Sequence, residues 1–126
     1  MRKHAQNGTP ALDQRRSQID TLDTELLRLL NQRARMAGDL AAIKKSSGLP
    51  VYDSRREQQI LERICQENSG PLDSQGLISI FRCIIRESRK IEESSMRRLE
   101  KNLSKENSNG NQYGSKRIRS RASARD

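Results

Sequence analysis

The chain has 126 residues, 33% of them charged and 32% hydrophobic, with 25 Lys and Arg against 16 Asp and Glu for a formal net charge of +9. This length accommodates one domain, and an aromatic content of 2% with no Trp argues against a stacking platform for single-stranded nucleic acid. The charge is also uneven: residues 11–94 hold 14 cations and 13 anions, whereas residues 95–126 hold 9 cations and 3 anions, so the basic excess lies at the ends and the foldable segment is near neutral.

Thr9-Pro10 offers an N-cap followed by proline at the first helical position. Apolar residues then recur at Ile19, Leu22, Leu26, Leu29, Met36, Leu40 and Ile43, the spacing of one helical face. This predicts a long amphipathic helix that stops at Gly48, with Pro50 beyond it. Ser54-Arg55-Arg56-Glu57 matches a capping box and opens a second helix with Ile60, Leu61, Ile64 and Cys65 on its apolar face, ending at Asn68-Ser69-Gly70-Pro71. A third helix starts at Asp73 or Ser74 and carries Leu77, Phe81, Ile84, Ile85 and Ile91 towards Leu99. No strand signals or internal repeats occur, so the expected fold class is all-α, three helices per chain.

The expected domain spans residues 11–103, with residues 1–10 and the Ser-, Asn- and Arg-rich stretch 104–126 read as disordered. Cys65 and Cys83 lack CxxC spacing and are expected as buried thiols in a reducing compartment. The chain opens without an apolar leader, and no window approaches about 18 apolar residues, so a membrane partner is not expected and the cytoplasm is the default location.

From Pro10 to Ser46 the first helix extends roughly 55 Å at 1.5 Å per residue, more than the two shorter helices can cover. Its stripe argues for a second copy of the chain, most simply as a twofold dimer. Polar residues interrupt the seams: Arg16, Arg33 and Lys44 on the first helix, Arg56 and Glu57 on the second, Ser88 and Glu92 on the third. One such residue is explained by a rim position or a cap. Several converging on a small bundle describe a cationic pocket with two acids and a hydroxyl, suited to a small dicarboxylate. Arg33 and Lys44 lie within roughly 20° of each other around the helix and about 16 Å apart along it, whereas Arg16 is about 25 Å from Arg33. If all three serve one site, Arg16 comes from the partner chain.

Arg16-x-x-Ile19-x-x-Leu22-Asp23, Leu26-Leu27-x-Leu29-Leu30-x-x-Arg33, Lys44, Pro50-Val51-x-Asp53-x-x-Arg56-Glu57 and Phe81-x-x-Ile84-Ile85-x-x-Ser88-x-x-x-Glu92 together resemble the all-helical chorismate mutases over residues 12–95. The resemblance implies an intertwined homodimer with two sites, each completed by Arg16 of the other chain. It implies that Arg16 and Arg33 hold the substrate carboxylates, with Arg56 and Ser88 supporting that end. Lys44 and Glu92 meet the ether oxygen, and Glu57 and Asp53 lie around the ring hydroxyl. The implied reaction is the Claisen rearrangement of chorismate to prephenate in phenylalanine and tyrosine biosynthesis, with no metal or cofactor. Position 92 departs from members that carry Gln: a carboxyl donates a hydrogen bond only when protonated, so Glu92 is expected to hold a proton in the active form. Two other readings are an isochorismate pyruvate lyase on the same fold and a non-catalytic helical dimer that binds polyanions through its basic tail.

Overall fold

The computed structural model describes residues 9–112. Three α-helices account for nearly all of them: α1 (Pro10–Ser46), α2 (Ser54–Glu67) and α3 (Ser74–Gln112). No strand occurs among the described residues.

Local chemistry explains each boundary. Thr9 is extended and its hydroxyl accepts from Leu12 N at 3.2 Å, while Pro10 fills a position whose N–H has no helical partner. At the other end Gly48 takes φ 69°, which only glycine adopts without strain, and Leu49 N donates back to Lys44 O at 2.8 Å. The start of α2 corrects the sequence reading by one residue. Its cap is Asp53, extended at φ −136° and accepting from Arg56 N at 3.0 Å, rather than Ser54, which is already helical. The carboxylate at 53 reaches the same orphan donors and also suits the positive end of the helix dipole. Asp73 plays the equivalent part for α3, accepting from Gly76 N at 2.7 Å.

The third helix runs unbroken past the expected end of the domain at residue 103 to Gln112, and at 39 residues it is longer than the 37-residue α1 rather than shorter as expected. Adding residues to a formed helix costs far less than nucleating one, and Lys101, Leu103, Lys105 and Glu106 are good helix formers. Residues 101–109 are exposed. The remaining expectations of disorder, at residues 1–8 and 113–126, fall outside the described residues, as does His4.

Packing centres on α3. Ile60 and Leu61 of α2 bury against Ile85, with Ile64, Ile78 and Phe81 beside them. On the other side α1 runs in the same direction as α3, from Arg33 beside Ser88 to Lys45 near Glu100. Small residues line that contact: Ala37 and Ala41 are buried, and Gly38 faces Ile91 and Ser95 with room for a Cβ. The earlier part of α1 has no such cover, and Ile19, Leu22, Leu26 and Leu29 are 47–63% exposed on the single chain. Cys83 is exposed and accepts a hydrogen bond from Arg86, and Cys65 is half-buried, so neither thiol is buried as expected. Cys83 sits two residues before Ile85, which at 100° per residue turns it away from the side of α3 that packs on α2.

Candidate active site

Where the C-terminal half of α1, the start of α2 and the middle of α3 meet, they enclose a cavity of about 410 Å³, within the range of small-molecule sites. Seven of the eight residues singled out from the sequence line it: Arg33, Lys44, Asp53, Arg56, Glu57, Ser88 and Glu92. The eighth, Arg16, lies exposed in the early part of α1 and does not line this cavity, as its distance along the helix requires.

The cations divide into two kinds. Lys44 is tied down, its Nζ donating to Glu92 Oε1 at 2.6 Å and to the Val51 carbonyl oxygen at 2.8 Å, with both ionic side chains largely sheltered from water. Arg89 is tied down as well, by both oxygens of Glu57. Arg33, by contrast, donates through Nη1 to the neutral Ser88 hydroxyl at 2.6 Å and forms no ion pair with a carboxylate among the described residues. The Arg56 side chain has no hydrogen bond or ion pair among the described residues, its carboxylate neighbour Asp53 being occupied as the cap of α2.

This arrangement leaves an excess of positive potential on one wall. Desolvation is the first cause that pulls the Arg33 pKa below the ordinary arginine value; repulsion from Arg56 and Arg63 adds to it, and Glu92 only partly opposes it. Arg33 nevertheless remains cationic near neutrality. An anion placed between Arg33 and Arg56 offsets the repulsion among these cations and gives the desolvated Arg33 a counter-charge. The hydrogen bond to Glu57 has the reverse effect on Arg89, raising its pKa.

Sequence reasoning missed several lining groups. Met36, Ala37 and Leu40 supply an apolar floor on α1, one helical turn either side of the seam positions. Val51 contributes a backbone carbonyl, which side-chain pattern does not encode. Arg89 follows Ser88 directly and lies four residues after Ile85, a spacing that was available as a signal.

Comparison with known proteins places the chain in a family. The family model described as chorismate mutase type II matches residues 15–93. A bifunctional chorismate mutase/prephenate dehydratase of Aquifex aeolicus is 38% identical over 78 residues, covering 59% of this chain and 22% of that protein. The chain spans about a fifth of the length of such two-activity relatives. A chorismate mutase of Methanocaldococcus jannaschii is 37% identical over 73 residues, 56% of this chain and 72% of that one. Among solved structures, a chorismate mutase from Helicobacter pylori in complex with prephenate superposes with a TM-score of 0.65 at 34% identity, covering 71% of this chain and 97% of the other. A chorismate mutase from Thermus thermophilus gives the same TM-score of 0.65 at 31% identity, over 66% and 94% of the two chains.

Proposed function

The chain belongs to the chorismate mutase type II family, and on that premise we propose that it converts chorismate to prephenate as a cytoplasmic homodimer. The observation that carries the reading is the pair of cavity arginines, Arg33 and Arg56, with which no carboxylate of the described residues forms an ion pair. Chorismate is a compact dianion that presents two carboxylates to such a wall. Among the described residues no helix is long and apolar enough to cross a membrane.

The rearrangement is pericyclic: a C–O bond breaks while a C–C bond forms within one molecule, so the site has conformation and charge to control. Arg33, backed by Ser88, and Arg56 bind carboxylate oxygens and hold the enolpyruvyl arm over the ring, converting a rare conformer into the bound one. Negative charge develops on the ether oxygen as its bond stretches. Lys44, already fixed by Val51 and Glu92, is aimed into the cavity without needing to reorganise, so it stabilises the transition state more than the ground state. Glu92 contributes a second hydrogen bond to that oxygen when protonated. Asp53 and Glu57 accept from the ring hydroxyl.

A second copy of the chain completes the site. The exposed stripe of α1, Ile19 through Leu29, is the surface it covers, at about 1.5–3 kcal/mol for each large aliphatic side chain taken out of water. Pairing along α1 brings the partner's Arg16 to the mouth of this cavity, adding a third arginine to the carboxylate end. Incubation with chorismate and then isochorismate, following prephenate against salicylate, tests the reaction. Prephenate from chorismate supports the mutase; salicylate from isochorismate with chorismate untouched replaces it with the lyase.

A further inference from the structure

We propose that Arg89 is a positioning residue that makes the cavity selective for a hydroxyl-bearing ring, by fixing the Glu57 carboxylate as an acceptor; this rests on the mutase reading. Arg89 lies on α3 one residue past Ser88, and its guanidinium grips Glu57 of α2 as a fork. Nη2 is 2.7 Å from Oε1 and 2.6 Å from Oε2, and Nε is 3.2 Å from Oε2. The guanidinium carbon also sits 4.6 Å from the centroid of the Tyr52 ring, within the range of a cation–π contact. Ring and carboxylate together leave the fork one orientation.

Two consequences follow for the cavity. Oε1 of Glu57 accepts once from the fork and Oε2 twice, which leaves Oε1 a lone pair for a ligand, and a carboxylate only accepts, so a ligand group opposite it has to donate. A ring hydroxyl donates, and a ring hydrogen leaves the carboxylate desolvated and unmatched. Finally, the Glu57–Arg89 pair, with Ile85, also lines a second cavity of about 370 Å³ that includes Tyr52, Arg82 and Arg86. Lysine at 89 keeps the charge but loses both the fork and the stacking.

The test compares kcat/KM for chorismate with that for an analogue bearing hydrogen in place of the ring hydroxyl, in wild type, Arg89→Lys and Tyr52→Ala, with thermal unfolding as the check on folding. Wild type is expected to prefer chorismate by at least about tenfold. Arg89→Lys is expected to lose most of that preference through a lower value for chorismate, with the analogue changed by less than about twofold. Tyr52→Ala removes an exposed ring and is expected to lose part of the preference in a folded protein, so the inference does not hang on one variant. Equal losses on both substrates, or an unchanged preference in both variants while wild type discriminates, overturn the inference alone. A wild type that converts neither compound overturns the mutase reading and the inference with it.

Discussion

Lys44 and Glu92 stand 2.6 Å apart across the α1–α3 contact, a lysine ammonium donating to a carboxylate oxygen inside a largely sheltered cavity. The same ammonium reaches the Val51 carbonyl, so its direction is set by two elements before any ligand arrives. In the carboxylate form, Glu92 turns a lone pair rather than a proton towards an ether oxygen in the cavity. Lys44 and Arg33 are the cations that face it. Glu92→Gln, an amide that donates to that oxygen at every pH, is therefore expected to keep kcat/KM for chorismate within about tenfold of wild type, whereas Glu92→Ala, which donates nothing, is expected to lose about 100-fold or more. Equal losses in the two variants would remove a hydrogen bond from position 92 from the mechanism. Lys44→Ala is expected to lower kcat by about 10²–10³ at every pH, as loss of a preorganised donor does.

Arg33 links stability to function with opposite signs. Its lowered pKa means that folding disfavours its charge. For a base this cost is fully present below the folded-state pKa and is relieved only as pH rises from there towards the unfolded value, in the strongly alkaline range. At pH 7 the ligand-free protein therefore bears the cost, and Arg33→Met is expected to unfold at the same temperature as wild type or higher. The same change removes a carboxylate clamp, so kcat/KM for chorismate is expected to drop by about 100-fold or more. Parallel thermal melts and prephenate assays check both halves. A variant that is destabilised and fully active contradicts the argument.

Among the described residues, every one that lines the cavity lies between Arg33 and Glu92. Deleting residues 113–126 is expected to leave kcat/KM for chorismate within about twofold, since it removes none of those lining residues. A large loss would tie the tail to the reaction and reopen the reading of the protein as a polyanion binder.

Much of this was legible in the sequence because it depends on local rules. Thr9-Pro10 and Gly48 bracket α1 by backbone chemistry alone, and the seam positions of Arg33, Lys44, Ser88 and Glu92 follow from helical periodicity. The shortfalls have physical causes. Asp53 and Ser54 are both good caps, and only the turn geometry before α2 chooses between them. The end of α3 is a matter of small propagation free energies over exposed residues, which composition read as disorder. Spacing places Arg89 near Ser88 and Ile85, but its partner, Glu57, is 32 residues away on another helix, a contact that periodicity within one helix does not reveal.

Two glycines separate packing from backbone conformation. At Gly38 an added Cβ would stand 3.5 Å from Ser95 Oγ and 3.7 Å from Ile91 Cγ2, ordinary contact distances, in the middle of α1. Gly38→Ala is expected to stabilise by about 0.5–1 kcal/mol through helix propensity. At Gly48 space is open but φ is 69°, so Gly48→Ala is expected to destabilise by about 1 kcal/mol through strain. Melting temperatures measured at one fixed protein concentration give the two signs directly, and equal signs would contradict the assignment.

Arg16 provides the sharpest test of a site shared between chains. Its position about 25 Å along α1 from Arg33 means that one chain does not bring both to one cavity. If each cavity combines Arg33 of its own chain with the partner's Arg16, Arg16→Ala and Arg33→Ala homodimers are each expected to lose about 100-fold or more in kcat/KM. Unfolding and refolding the two variants together at equal amounts pairs them at random, and half of the dimers are mixed. In a mixed dimer one cavity lacks both arginines and the other has both. The mixture is therefore expected to recover about a quarter of wild-type activity, far above either parent, by the symmetry of a twofold assembly. Recovery should disappear on dilution below the dimer dissociation constant and return on concentration. A mixture no more active than its parents, in a sample shown by sedimentation to contain dimers, would place Arg16 outside the site and leave Arg33, Arg56 and Lys44 as its only clamp on the substrate.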